Sequence, residues 1–255
     1  MNIKTSFSLE KITYTCPLSI NNICRVENNT NKNDISKKIS GLSHEITKNI
    51  AINTSIKLNF IESTNIQEAI KKSSFKGKGQ IKNTYSDLAI GIPFSFNKNI
   101  EYLFPPISSE KIVLIKINAS KSINENILLN ELKSHKIYIT DEIELSNISN
   151  KIKKHNNLYY HIHNPNEFFN VEKLSNKESL KEIDINKNIS IITSLSNYKL
   201  LKQKNPNLTY SKIKIRDQFS SINLFIAINK MSELARSENK NIVSKIKLIL
   251  EEMNK

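Results

Sequence analysis

Apolar and polar side chains follow two different periods along the first half of the chain. Residues 56–61 (IKLNFI) have the period of a half-buried strand, and Leu42, Ile46 and Ile50 have the period of a helix. Strands and helices that alternate in this way along a chain predict a parallel sheet covered by helices. The predicted order is a strand at 12–16, a helix at 42–52, a strand at 56–61, a helix capped by Asn65, and strands at 88–91 and 111–117.

The same pattern resumes after a polar break at residues 118–125. A final helix is the clearest element, because Ile242, Ile246 and Ile249 share one face. The polar, Asn-rich stretch 21–38 is predicted to be a long exposed loop. The remaining predictions are a surface connection at 75–84, helices near 127–132, 145–154 and 197–204, two helical segments between 166 and 182, and strands at 136–140, 158–162, 189–193, 210–215 and 222–229.

Composition narrows the class of protein. The chain has 255 residues, enough for one large domain or two compact lobes, and no apolar stretch is long enough to span a membrane. Its net charge of +14 comes from 38 basic and 24 acidic residues, so the surface attracts anions. Only three of the basic residues are arginine, Trp is absent, and no zinc-finger or ribonucleoprotein motif occurs. This composition argues against a nucleic-acid partner.

The N-terminal region leaves two questions open. The first ten residues, MNIKTSFSLE, lack the apolar centre of a secretory signal, so the protein stays inside the cell or a signal lies outside this numbering. Cys16 and Cys24 are the only cysteines. In an oxidising compartment they could close a small disulfide loop, and the alternative is two unlinked thiols.

Residues 86–115, SDLAIGIPFSFNKNIEYLFPPISSEKIVLI, carry the most information. Asp87 opens an apolar strand that ends in Gly91, and a polar turn with Ser95 and Lys98 precedes Phe-Pro-Pro and a second strand. That order suits a ligand-facing loop at the tip of a parallel sheet. It resembles the first-lobe core of type II periplasmic binding proteins, two-lobed solute receptors whose common form is D-(apolar)3-G-x-T-x-T-x-x-R, an F-S-x-P-Y stretch and a strand.

The resemblance extends to the end of the chain. The strand at 189–193, the helix leading to Pro206-Asn207, and the strand ending in Lys230 before the last helix are similar to the closing third of that family. The similar stretches cover most of the chain and are least convincing at 16–40 and 164–186. The resemblance implies an α/β fold of two lobes, each a mostly parallel sheet flanked by helices, joined by a hinge of two chain crossings. Lobe one would comprise 1–117 and 219–255, and lobe two 118–218.

The resemblance also implies a function. The protein would be a monomeric, non-catalytic solute-binding protein that closes its lobes on a small polar or anionic ligand, such as an amino acid or an organic anion. A membrane permease of an ABC-type importer would be its partner, the periplasm or cell envelope its location, and no cofactor would be needed. No serine-histidine-aspartate order, nucleotide-binding loop or zinc-protease motif points to catalysis.

Lobe one of the family grips the ligand's carboxylate with a guanidinium and a hydroxyl at the strand tip. The resemblance places Ser95 at the hydroxyl position and Lys98 at the arginine position, so the cation becomes a point donor without a fork. Gly91 and Phe94 complete the predicted lobe-one contacts, whereas Pro93 replaces an earlier threonine. The alternative is that Lys98 is a solvated residue in an ordinary turn.

Lobe two departs further from the family pattern. Thr140, Thr193 and Ser194 are the residues expected to approach the ligand, but Thr193 and Ser194 fall where the family has an amine-binding aspartate. Asp141 and Glu142 stand where an anion would need donors. A zwitterionic amino acid is therefore poorly matched in this lobe.

The sequence allows several further interpretations. The fold could serve as a sensor or protein-interaction module whose pocket is filled by its own side chains, or as a dehydratase-like enzyme using Asp141, Glu142 and Ser194. His161 and His163 have a metal-like H-x-H spacing, but without a third ligand an exposed edge is the favoured interpretation. Asp87 is predicted to bond nearby backbone, and at least half of the aromatic residues Phe94, Phe96, Tyr102 and Phe104 are predicted to pack in the core or hinge.

Overall fold

The structure is a computed structural model, and its described residues form two compact units. One unit comprises Met1–Ile92, Phe96–Ser108 and Leu224–Lys255, and the other Pro93–Ser95 and Ser109–Asn223. No helix within the described residues is long and apolar enough to cross a membrane. The lobe boundaries given above remain a prediction. The described residues are 9–18, 20, 23–28, 37–74, 85–95, 97–116, 126–128, 136–146, 148–155, 159–162, 189–206, 208–215 and 218–254.

Unit one is built on a parallel core of three strands. The first strand, Lys11–Pro17, lies between Lys57–Ser63 and Leu88–Pro93 and pairs with both in parallel. The sheet continues through Ser221–Asn229 to Ile100–Lys116, two strands whose residues are divided between the units. Its strands are β1 (Lys11–Pro17), β2 (Arg25–Asn28), β3 (Lys37–Ser40), β4 (Lys57–Ser63), all but the last residue of β5 (Leu88–Pro93), part of β6 (Ile100–Lys116) and part of β13 (Ser221–Asn229).

The helices of unit one follow the predicted periods. They are α1 (Leu42–Thr54), α2 (Ile66–Ser73) and α6 (Lys240–Met253), with two 3-10 turns at Glu233–Ala235 and Ser237–Asn239. Ile46 and Ile50 of α1 are buried, as are Ile242 and Ile246 of α6. Asn65 caps α2 as predicted, since its side chain accepts a hydrogen bond from the Glu68 amide at 2.9 Å.

Unit two has its own parallel strands. Within it, β8 (Lys136–Thr140) lies between β9 (Tyr159–Ile162) and β10 (Ile189–Ser194) and is parallel to both, while β10 is antiparallel to the second half of β6. A core cluster of Val113, Ile115, Ile191 and Leu201 packs the helix α5 (Leu195–Lys204) on this sheet. Its elements are β7 (Asn126–Leu128), β8 (Lys136–Thr140), α3 (Asp141–Glu144), α4 (Ser149–His155), β9 (Tyr159–Ile162), β10 (Ile189–Ser194), α5 (Leu195–Lys204), β11 (Thr209–Ile215) and β12 (Gln218–Phe219).

Four local predictions were wrong or incomplete. Part of the expected loop at 21–38 forms the hairpin β2–β3. The expected helix near 127 is strand β7, because Ile127 pairs in register with Ile213 of β11 and pairing outweighs local propensity. β6 extends from Ile100, well before the strand predicted at 111–117, and the helix predicted at 145–154 begins only at Ser149. The predictions for 75–84, 118–125 and 166–182 lie outside the described residues.

Cys16 and Cys24 form a disulfide bond in unit one. Of the two alternatives given for these residues, the structure therefore has the disulfide loop and not two unlinked thiols. Their Cα atoms are 5.9 Å apart, a normal separation for such a bridge. The bridge closes a tight turn in which the amides of Ile23 and Cys24 both donate to the Ile20 carbonyl, at 2.9 and 3.0 Å. Ile20 and Ile23 are each only 1 % exposed, so the turn contributes directly to the core.

Candidate functional site

Gly91 lies inside β5, two residues before the end of the strand, and its conformation depends on having no side chain. Its φ of 82° lies in the region that favours glycine. A Cβ added at this position would collide with Cγ2 of Ile23 and lie 3.2 Å from its Cβ. The disulfide-closed turn therefore packs directly on the backbone that leads into the predicted ligand loop.

Lys98 lies in unit one, in a turn that asparagine side chains hold in place. The Asn99 amide donates to Asn97 Oδ1 at 3.0 Å, and the Ile100 amide donates to the Asn97 carbonyl at 3.1 Å. The Asn99 carbonyl accepts from the Lys230 amide at 2.9 Å. Lys98 itself is exposed. The turn thus presents one cation at the surface on a well-anchored backbone.

Asp87 has the structural role predicted for it. Its Oδ2 accepts hydrogen bonds from both the amide and the hydroxyl of Thr13, each at 2.7 Å, which ties the start of β5 to β1. Burial raises the pKa of the Asp87 carboxyl, the two Thr13 bonds act in the opposite direction, and the nearby Glu233 carboxylate raises it further. The two hydrogen bonds from Thr13 therefore give Asp87 a structural role in the sheet of unit one.

Phe94 and Ser95 belong to unit two, together with Pro93. Phe94 is 36 % exposed and Ser95 is half-buried, whereas Pro93 is buried at the end of β5. The loop predicted to act as one ligand-binding segment is therefore divided, with Gly91 and Lys98 in unit one and Phe94 and Ser95 in unit two.

Thr140 and Thr193 meet at the tips of two parallel strands in unit two. The parallel register pairs Ile139 with Ile192, which places the next residue of each strand side by side. The two hydroxyl oxygens are 3.1 Å apart, and both residues are at most 1 % exposed. The sequence prediction correctly placed both threonines at strand ends, and the structure shows that they bond to each other.

Glu142 is the centre of the polar cluster at these strand tips. Its Oε1 accepts from the Thr193 hydroxyl at 2.9 Å, from the Ser194 amide at 3.1 Å and from the Asn197 side-chain amide at 2.7 Å. Glu142 itself is 2 % exposed. Glu142 belongs to α3, about fifty residues before Ser194, so its carboxylate reaches the tip of β10 from a distant part of the chain.

The N-terminus of α5 is capped from within unit two. The Ser194 hydroxyl accepts from the Asn197 amide at 3.2 Å, which is a standard N-cap bond. One residue into the helix, the Ser196 hydroxyl donates to Glu110 Oε2 at 2.6 Å, and Glu110 is 9 % exposed. Two carboxylates of the chain therefore interact with the first turn of this helix, where negative charge is favoured.

Sequence reasoning did not assign Asn197 or Glu110 to the site. Asn197 stood only as part of a predicted helix, and Glu110 stood just before the strand predicted at 111–117. The one available signal was Ser194, a residue type that favours the N-cap position, just before the predicted helix. Glu110 comes from a strand that is antiparallel to β10, and no local pattern in the chain indicates that contact.

The remaining candidates give no second site. No group of three or more histidine, cysteine, aspartate or glutamate side chains among the described residues could hold a metal ion. The side chains of His161 and Asp141, and all of His163 and Phe96, lie outside what the structure describes. The ring of Phe225 lies 5.9 Å from that of Tyr102 and 5.2 Å from that of Phe104, so these aromatics pack together, although Phe104 is 60 % exposed.

Comparison with known proteins identifies the fold. No protein-family profile matches the chain, and no curated protein matches it by sequence. Solved structures do match: the substrate-binding protein of an amino acid ABC transporter has a TM-score of 0.63 and 12 % identity, covering 96 % of this chain and 93 % of that one.

Two arginine-bound or holo proteins give similar values. An amino acid ABC transporter substrate-binding protein from Streptococcus pneumoniae, bound to L-arginine, has a TM-score of 0.63 and 13 % identity, with 96 % and 88 % of the two chains covered. Holo ArgBP from T. maritima has a TM-score of 0.62 and 14 % identity, with 96 % and 91 % covered. At this identity the similarity is one of fold. The chain has the fold of the type II periplasmic binding proteins, as the resemblance in its sequence implied.

Proposed function

We propose that this protein is a non-catalytic solute-binding protein that closes its two units on a small polar organic ligand and delivers it to the permease of an ABC-type importer. The observation that carries the proposal is the extent of the fold match. Structures of amino acid ABC transporter substrate-binding proteins align with 96 % of the chain, which covers both units. Ligand binding would bias the closed state by the difference in affinity between the two states.

The residues proposed to contact the ligand are those at the strand tips. Lys98 would supply the charged contact and Ser95 a hydroxyl contact, with Gly91 and Phe94 shaping the loop. Thr140, Thr193 and Ser194 would supply further hydroxyl contacts. Support for this assignment is the exposure of Lys98 on its anchored turn and the convergence of the three hydroxyl residues at one end of β8 and β10.

A calorimetric screen of amino acids, carboxylates, amines and oligopeptides tests the binding function. Small-angle scattering of the same samples should show a smaller radius of gyration when a ligand binds, and a molecular mass of one chain. No binder in the screen, with no change in scattering, would contradict the proposal. Capture of one defined protein partner together with an empty metabolite screen would favour the interaction module instead.

Lys98 provides a sharper test once a ligand is found. Replacement by alanine should weaken binding of that ligand by about tenfold, because one charge-assisted contact is lost. Lys48, an exposed lysine of α1, is the matched control, and Lys48→Ala should leave affinity unchanged. Equal affinities of the two variants would remove Lys98 from the proposed site.

The non-catalytic assignment and the location are part of the same proposal. The Ser194 hydroxyl caps α5 and the Glu142 carboxylate accepts three hydrogen bonds, so both groups have structural partners. Metabolite mixtures incubated with the protein should therefore be unchanged, and any turnover would favour the enzyme. The disulfide between Cys16 and Cys24 supports action in the periplasm or cell envelope, which cell fractionation tests.

A further inference from the structure

We propose that unit two carries a docking surface for an anionic lipid membrane. Four side chains form this surface, which we call the basic face: Leu128, Lys212, Lys214 and Phe219. None of them is among the residues proposed to contact the solute. The proposal therefore goes beyond solute binding and gives the protein a second partner.

The four side chains lie on one face of the sheet. Lys214 of β11 pairs in register with Leu128 of β7 on one side and with Phe219 of β12 on the other. Residues paired across neighbouring strands project to the same face, and so do Lys212 and Lys214, which are two positions apart on β11. The basic face is thus a row of apolar, cationic and apolar side chains across three adjacent strands, with a second cation beside it.

The apolar members of this row are open to solvent. Tyr210 precedes Lys212 by two positions on the same face of β11, and helix α5 packs there, because the Tyr198 ring lies 4.4 Å from the Tyr210 ring. Further along the face, Phe219 is 45 % exposed and Leu128 is 37 % exposed. The basic face therefore presents a phenyl ring and a leucine to whatever approaches this side of unit two.

The two lysines have an aromatic ring as their neighbour and no carboxylate. Nζ of Lys212 lies 5.2 Å from the centre of the Phe219 ring, and Nζ of Lys214 lies 5.0 Å from it, both within the range of a cation–π interaction. No aspartate or glutamate in the described part of the chain forms an ion pair with either ammonium. Two cations beside one ring repel each other, so a negatively charged partner stabilises both.

A lipid surface suits this arrangement better than a folded protein does. Lysine ammoniums reach anionic headgroups, while exposed phenylalanine and leucine side chains enter the boundary between headgroups and acyl chains. A stable protein–protein interface needs about 20–30 residues on each side, far more than the basic face supplies. A membrane binds a small face, and the net charge of +14 adds to the attraction.

Tryptophan fluorescence tests whether the basic face enters a membrane. The chain contains no tryptophan, so Phe219→Trp introduces a single fluorophore there. With vesicles that contain phosphatidylglycerol and phosphatidylcholine, its emission should move to shorter wavelength, and lipids brominated on the acyl chains should quench it. Vesicles of phosphatidylcholine alone should leave the emission unchanged.

Phe104→Trp is the matched control for this measurement. Phe104 is an aromatic residue of unit one and is 60 % exposed, so a tryptophan there is equally open to solvent but lies outside the basic face. Its emission should show no quenching by the brominated lipids. Quenching of Phe104→Trp without quenching of Phe219→Trp would overturn the proposal.

Co-sedimentation with the same anionic vesicles tests the two lysines. Lys212→Gln combined with Lys214→Gln should weaken binding by at least about tenfold, because two attractions to anionic headgroups are lost. The control combines Lys151→Gln with Lys154→Gln, two exposed lysines of α4 in the same unit. This control removes the same charge and should change binding by about twofold or less.

Equal losses in the two double variants would overturn the basic face, since the net charge alone would then explain the binding. Wild-type protein that fails to bind anionic vesicles would overturn the proposal outright. If soluble polyglutamate shifted the emission of Phe219→Trp while vesicles did not, the lipid surface would be overturned in favour of an acidic protein partner. Should one variant fail to fold, the other experiment still decides, because the two use different substitutions. No outcome depends on a solute or a permease, so failure here is distinct from failure of the proposed function.

Discussion

The strand tips of the two units are organised by different physical means. In unit one the tip of β5 depends on close packing, because Gly91 adopts a positive φ directly against Ile23 and leaves Lys98 exposed on the following turn. In unit two the tips of β8 and β10 depend on hydrogen bonds, since Thr193 and Ser194 both donate to the buried Glu142 carboxylate. One tip is thus sensitive to an added methyl group and the other to a lost charge.

The largest effect is expected from Gly91→Ala. The new methyl group meets Ile23 while the backbone keeps a φ that alanine disfavours, so the free energy of unfolding should fall by about 3 kcal/mol. Urea denaturation followed by circular dichroism measures this change. Ile23→Ala in the same molecule should recover part of the loss, whereas Ile20→Ala, in the same turn, should only add to it. Strict additivity of Gly91→Ala and Ile23→Ala would show that the collision does not matter.

The second-largest loss of stability is expected from a substitution in unit two. Glu142→Ala leaves three buried donors without their acceptor, which should lower the free energy of unfolding by about 2–3 kcal/mol. The same denaturation experiment on Glu144→Ala should show a loss of about 1 kcal/mol or less, because that carboxylate pairs with a partly exposed lysine. If both variants lost the same stability, the hydrogen-bonded organisation of this tip would be refuted.

Loss of the disulfide should weaken unit one by a comparable or slightly smaller amount. Cys16→Ser combined with Cys24→Ser opens a loop of separation eight, and the released chain entropy should lower the free energy of unfolding by about 2 kcal/mol. Dithiothreitol should shift the wild-type denaturation midpoint to the same position and leave the double variant unaffected. A wild-type midpoint that ignores the reductant would mean that the bridge contributes nothing.

The smallest effect is a change in pH dependence at Asp87. Its pKa is raised above the ordinary value of 3.8, so the folded state binds this proton more tightly than the unfolded state. The stabilisation from this tighter proton binding is fully present below pH 3.8 and is lost as the pH rises through the pKa of the folded state. The free energy of unfolding should therefore decline between these two pKa values. Asp87→Asn should flatten the decline by about 1 kcal/mol or less, measured by thermal denaturation at several pH values. An unchanged profile would show that Asp87 titrates normally.

Sequence reasoning succeeded where one element carries its own periodicity. The apolar run ending at Gly91 and the face of Ile242, Ile246 and Ile249 each reflect burial on one side, so strand and helix followed directly. The prediction near 127 was wrong because Asn126–Leu128 is a strand only by virtue of its pairing with β11. A three-residue segment has too little pattern of its own to reveal such a partner.

The candidate site could also be predicted only in part. Thr140, Thr193 and Ser194 could be placed at strand ends, because an apolar run precedes each of them. The acceptor that Thr193 and Ser194 share could not be predicted, since Glu142 reaches them only through the parallel register of β8 and β10. In the sequence, Glu142 stands where an anionic ligand would need hydrogen-bond donors. The structure shows that its carboxylate instead accepts hydrogen bonds from Thr193, Ser194 and Asn197.

The division of the chain has a consequence for the order in which the protein can be made. Unit two is almost entirely one continuous stretch, Ser109–Asn223, whereas unit one needs both the N-terminal residues and Leu224–Lys255. On the ribosome, unit two can therefore complete its own sheet while unit one still lacks α6, whose Lys245 donates to the Asn53 carbonyl of α1 at 3.2 Å. Unit one can therefore be completed only when Leu224–Lys255 has been synthesised, and until then the residues of α1 that contact α6 remain uncovered.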